Sequence, residues 1–148
     1  MVINWLSVVL AAFSTLVVGF IWYGLLFKNA WIQASGVTEE KMKQAPHPAI
    51  IYGITFVLAL IIAVGLQKQI IGLHLFIDKM KGGNGIISEQ PFFHGAWHAF
   101  QSAFFYGLIP ALVINALFDI RNWKYILINV GYWLVAVSIM GGIIGIMG

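Results

Sequence analysis

The sequence predicts an all-α protein: an integral membrane four-helix bundle with short loops and one amphipathic interfacial segment. Three observations predict it. The 148 residues are 61% hydrophobic and 9% charged, with a mean hydropathy of +0.92, whereas soluble domains carry about 25% charged residues to cover themselves in water. The eight basic and five acidic side chains cluster at 28–43, 68–89 and 119–124. Between the clusters lie four charge-free tracts, each reaching the roughly 20 residues needed to cross about 30 Å of hydrocarbon. The predicted spans are 3–27, 48–67, 92–118 and 125–146, in a single transmembrane domain covering 1–148.

The first span opens on Asn4-Trp5. A cleaved secretory signal would need a basic segment before Trp5 and a small-x-small cleavage site, and the sequence has neither. Ala11, Thr15 and Gly19 form a small-residue stripe at four-residue spacing, which lets helix backbones approach closely in lipid. Gly141 and Gly145 repeat the pattern in the fourth span. Both stripes are expected to pack within the bundle or, alternatively, between subunits.

Segment 28–44 is expected to form an interfacial elbow. Gly36 breaks the helix, Thr38 can cap a short second one, and Glu39 and Glu40 suit the positive end of its dipole. Pro46 and Pro48 then lead into the second span. Segment 67–90 is the largest polar connection. Its first half places Gln67, His74, Asp78 and Lys81 on one helical face, so it either lies flat on the membrane or extends the second helix out of it. Gly82-Gly83-Asn84-Gly85 ends that helix; with no strand before it and no Lys-Ser/Thr after it, a phosphate-binding loop is not indicated.

The third span carries the most pointed polar feature. His94 and His98 stand at i and i+4, so both imidazoles share one helical face, a spacing that can ligate one metal ion. Gln101 continues that face. His74 can contribute from the same side of the membrane, and Glu89 is the nearest carboxylate in the chain. The pair reads as interfacial histidines, as a proton-sensitive or headgroup-contacting pair, or as metal or haem ligands. Further along, Pro110 frees the Tyr106 carbonyl from its helical bond, and Asn115 adds one more amide. Polar groups in hydrocarbon must find partners inside the bundle, so His94, His98, Gln101 and Asn115 form a candidate polar face for a ligand. The short 119–124 connection makes spans three and four an antiparallel hairpin.

Trp22, Tyr23, Trp31, Trp123 and Tyr125 mark one membrane boundary, and Trp5 and Trp97 the other. An even number of spans puts both termini on one side. Loops one and three hold Lys28, Lys41, Lys43, Arg121 and Lys124, against Lys68, Lys79 and Lys81 in loop two, so the positive-inside rule places both termini outside the cytoplasm of a bacterial inner membrane. Trp22-Tyr23-Gly24 and Phe105-Tyr106-Gly107 echo one another, as two parallel hairpin repeats of a transporter would.

Several chemistries are excluded or disfavoured. The chain has no cysteine, which removes disulfides, thiolate nucleophiles and Cys-based metal sites. Eight basic residues spread over three loops do not make a nucleic-acid footprint. No span holds an Asp, Glu, Lys or Arg, the groups that ion-coupled transporters keep near the midplane. Serines 7, 14 and 138 have no histidine in their own segments to activate them.

Asn4-Trp5-Leu6, the run 19–24 (Gly-Phe-Ile-Trp-Tyr-Gly) with Phe27 and Trp31, and Gly36-Val37-Thr38-Glu39-Glu40 together resemble domain-of-unknown-function family 1761. So do Asn115-Ala116-Leu117-Phe118, Trp123-Lys124-Tyr125, Ile128-Asn129, Gly131-Tyr132-Trp133 and Met140-Gly141. The resemblance implies a small bacterial membrane protein with four spans and brings no activity with it. Three functional readings stand. The first is a non-enzymatic module that self-associates as a homo-oligomer through Gly19, Gly141 and Gly145, with membrane lipid as a partner, and binds or passes a small molecule, ion or lipid without a cofactor. The second is a metal- or haem-binding membrane protein using His94 and His98. The third is an accessory subunit of a larger membrane complex.

Overall fold

The computed structural model describes residues 2–84 and 91–147, with Glu39 described by its backbone. Residues 85–90, and with them Glu89, lie outside the described residues. The described residues form helices joined by short connections, with no strand among them. Four helical rods, Trp5–Leu26, Pro48–Met80, Phe92–Phe118 and Trp123–Met147, are long and apolar enough to cross a membrane.

The first rod begins as α1 (Trp5–Gly19), capped by the Asn4 side chain, which accepts from the Ser7 N–H at 3.2 Å. The same Asn4 amide donates to the Met147 carbonyl at 2.6 Å and so ties the two ends of the chain together. Ser7, Val8, Ala11, Ala12 and Thr15 are buried along one face. The rod then widens into a π-helical stretch, Phe20–Leu26, closed by Phe27 N–H donating to the Trp22 carbonyl at 2.8 Å. Such wide turns are rare and re-aim side chains. Here Trp22 Nε1 donates to the Ile128 carbonyl at 3.0 Å, and the Tyr23 hydroxyl donates to Asn129 Oδ1 at 2.8 Å.

The elbow consists of α2 (Lys28–Ser35) and α3 (Glu39–Gln44). Gly36, at φ 65°, closes α2, and the Thr38 hydroxyl accepts from the Lys41 N–H to cap α3. After Pro48, α4 (Pro48–Met80) runs unbroken for 33 residues, about 50 Å at 1.5 Å per residue. The polar stretch after Gln67 therefore extends the second span as a rod; it does not turn to lie flat. Its first turns are exposed, and it joins the core from Ala59 onward through Ala63, Leu66 and Ile70.

The third rod is two helices, α5 (Phe92–Phe105) and α6 (Leu108–Phe118). The break falls at Tyr106-Gly107, where Gly107 takes φ 120°. Pro110 becomes the third residue of α6, where no intrahelical N–H bond is required. The echoed Trp22-Tyr23-Gly24 and Phe105-Tyr106-Gly107 thus both mark interruptions of an α-helix, by different geometries.

The fourth rod, α7 (Trp123–Met147), is the most buried and packs against α1, α4 and α5. Gly95 and Ala99 on α5 face Gly141 and Gly145 so closely that a methyl added to Gly141 would overlap Ala99 Cβ and stand 2.5 Å from the Gly95 carbonyl oxygen. In lipid, where apolar surface gains nothing by leaving the tails, this close backbone approach supplies dispersion in place of the hydrophobic effect. Gly19 lies under the Tyr132 ring, whose hydroxyl donates to the Thr15 carbonyl at 3.1 Å. Both glycine stripes therefore meet partners within the chain, and neither lends support to self-association.

A short loop joins α6 to α7. Its Arg121 Nη1 donates to the Ser35 carbonyl at 3.0 Å and Asn122 Nδ2 to the Ala34 carbonyl at 3.1 Å, so the hairpin satisfies the open carbonyls at the end of α2. The loop side of the bundle is locked together at one end, and the two termini are locked at the other.

Candidate metal centre

The terminal end of the bundle carries the densest polar chemistry. α5 starts there, with Pro91 immediately before it, and presents His94 and His98 one turn apart on the face toward α4. Because α4 continues to Met80, its His74 reaches the same place from the neighbouring rod. The three rings lie with centroids 4.6 to 5.2 Å apart, all roughly edge to face. One ring nitrogen from each lies within 4.8 Å of the others, and all three side chains are half-buried.

The hydrogen bonds orient the donors. His74 Nδ1 lies at hydrogen-bond distance from the Ile70 carbonyl, which can only accept, so Nδ1 carries the proton. That leaves the Nε2 lone pair of His74 pointing at His94 Nε2, 3.0 Å away. A backbone carbonyl holding the far nitrogen is the arrangement that sets the tautomer of metal-bound histidines. Zn–N bonds of about 2.05 Å in a tetrahedron require nitrogens about 3.3 Å apart, so the His74–His94 pair is within a few tenths of an ångström of the required spacing. The His98 nitrogen lies within 4.8 Å of the other two.

The other sequence-derived candidates divide between α5 and α6. Gln101 is half-buried on α5, three residues beyond His98. Asn115 belongs to α6, on the far side of the Gly107 break, where it lines a groove at the opposite end of the bundle. The candidate polar face of His94, His98, Gln101 and Asn115 is therefore cut in two. Asp78, one turn beyond His74, folds its carboxylate against Gly83. Deeper on the His74 face, buried Gln67 donates to Ser7 Oγ at 3.1 Å. That contact is the ordinary polar glue of a membrane bundle.

His74 belongs to the centre as fully as the α5 pair. Its sequence signal is its place on the polar face of 67–81, which becomes decisive only when that segment continues as helix. Comparison with known proteins adds a family. A family model described as a protein of unknown function, DUF1761, matches residues 6–145. No curated protein and no solved structure matches the chain.

Proposed function

The chain belongs to the DUF1761 family, whose function is unknown, and from that premise we propose that it is a multi-pass membrane protein that binds one divalent transition-metal ion. The observation that carries the reading is the convergence of His74, His94 and His98 from two helices, with the His74 tautomer held by the Ile70 carbonyl. Three neutral imidazoles suit Zn²⁺, Cu²⁺ or Ni²⁺ and leave one coordination position open to water or a passing ligand. Among the described residues no carboxylate joins the group. An ion held by three neutral donors keeps its full charge. On the charge distribution between loops, the termini and the metal centre face the outside of a bacterial inner membrane.

The test is metal content. Protein purified in mild detergent, loaded with Zn²⁺ or Co²⁺ and desalted, is expected to retain one ion per chain, with Co²⁺ giving the visible absorption of tetrahedral coordination. His74→Ala and the double variant His94→Ala, His98→Ala should each weaken retention by at least about tenfold, a lost ligand costing no less than the 10- to 100-fold of a lost supporting contact. Undiminished metal in the folded triple variant would overturn the proposal.

A further inference from the structure

The opposite end of the bundle holds a second site, independent of the histidines. α5 packs closely on α7 through Gly95, Gly141 and Gly145, but the turn at Gly107 swings α6 away from the same helix. A wedge of about 400 Å³ opens between α6 and α7. Its wall is apolar, with Leu108, Ala111 and Leu112 from α6, while its mouth carries Asp119 and Arg121 from the loop.

The mouth is preorganised. Arg121 is pinned by its bond to the Ser35 carbonyl and lies 5.2 Å from the centre of the Tyr125 ring, leaving further guanidinium N–H donors for a ligand. Ile120, between the two charged residues, is held at φ 56°, a conformation costly for a β-branched side chain. The loop closes as a Schellman turn, Arg121 N–H donating to the Ala116 carbonyl at 2.9 Å and Ile120 N–H to the Leu117 carbonyl at 3.0 Å, with isoleucine where glycine is usual. That strain places Asp119 and Arg121 on the same opening. Between mouth and wall stands Asn115, an exposed amide one turn before Asp119 on an otherwise apolar helix.

We propose that this wedge holds one phospholipid with a primary-amine headgroup, of the phosphatidylethanolamine kind. The phosphate lies on Arg121, the ammonium on Asp119, the ester region against Asn115, and one acyl chain along Leu108, Ala111 and Leu112. The charge pattern selects among lipids. One cation and one anion at the mouth match a zwitterion and disfavour a headgroup of net negative charge. An ammonium donates N–H bonds to a carboxylate, which a trimethylated headgroup cannot do.

The experiment is native mass spectrometry of protein transferred to nanodiscs of equal parts dioleoyl phosphatidylethanolamine, phosphatidylglycerol and phosphatidylcholine. One phosphatidylethanolamine retained per chain, ahead of the other two, is the expected result. Asp119 is exposed, so Asp119→Asn leaves the fold intact and should reduce the preference for phosphatidylethanolamine over phosphatidylglycerol by about fivefold, the scale of one exposed charge pair. Arg121→Gln should lower retention of all three lipids. Equal retention of the three, a preference for phosphatidylglycerol, or an Asp119→Asn variant as selective as the parent would each overturn the proposal.

Discussion

Glycine positions in this bundle differ sharply in what they tolerate. Gly141 and Gly95 face one another with no room for a methyl, and the atoms in the way are backbone and Ala99, which cannot rotate aside. Gly19 has the Tyr132 ring 3.5 Å from where its Cβ would stand, an ordinary contact distance. Gly141→Ala is therefore expected to destabilise the protein by about 2 kcal/mol or more through overpacking. Gly19→Ala should be neutral or slightly stabilising, since alanine is the better helix former. Thermal unfolding in detergent checks both; equal losses at the two sites would refute the packing argument.

At the scale of elements, the three-histidine cluster joins two helices that otherwise touch little. α4 and α5 meet sparsely, and His74 and His94 supply a direct side-chain link between them. An ion shared by these rings would fasten the projecting end of α4 to the start of α5. Zn²⁺ at about 100 times its Kd should then add about 2.7 kcal/mol of stability. The ion needs neutral imidazoles, and protons compete for the same lone pairs, so the gain should be present at about pH 7.5 and absent at about pH 5. Thermal melts with and without Zn²⁺ at the two pH values read this directly. A gain that survives acidification would point to ligands other than histidine.

At the scale of the whole molecule, each end of the bundle is closed by its own bonds, Asn4 to Met147 at one and Arg121 and Asn122 to α2 at the other. The histidine cluster and the wedge between α6 and α7 consequently sit at opposite ends of the bundle. The chain has no cysteine of its own, so single cysteines report topology cleanly. In intact cells a membrane-impermeant maleimide should label Val2→Cys and spare Lys43→Cys until the membrane is opened. The reverse pattern would invert the orientation and turn the metal centre toward the cytoplasm, and labelling of both in intact cells would contradict four spans.

The sequence by itself determined the class of the molecule, because charge-free tracts of membrane-spanning length leave few alternatives to helices in lipid. It also determined the Thr38 cap and the Gly36 stop, because both depend on neighbours within a few residues. It showed that Gly141 must pack closely without showing against what, since a small-residue stripe is the same pattern whether its partner is α5 or a second chain. It offered His94 and His98 because i, i+4 spacing fixes a shared face. Tertiary structure alone decided that α4 runs on to Met80 and delivers His74, that Gly95 is the counterpart of Gly141, and that the Gly107 break parts Asn115 from the histidines. Each of these is a relation between rods, set by which surfaces pack and where a helix bends, and no local periodicity encodes it.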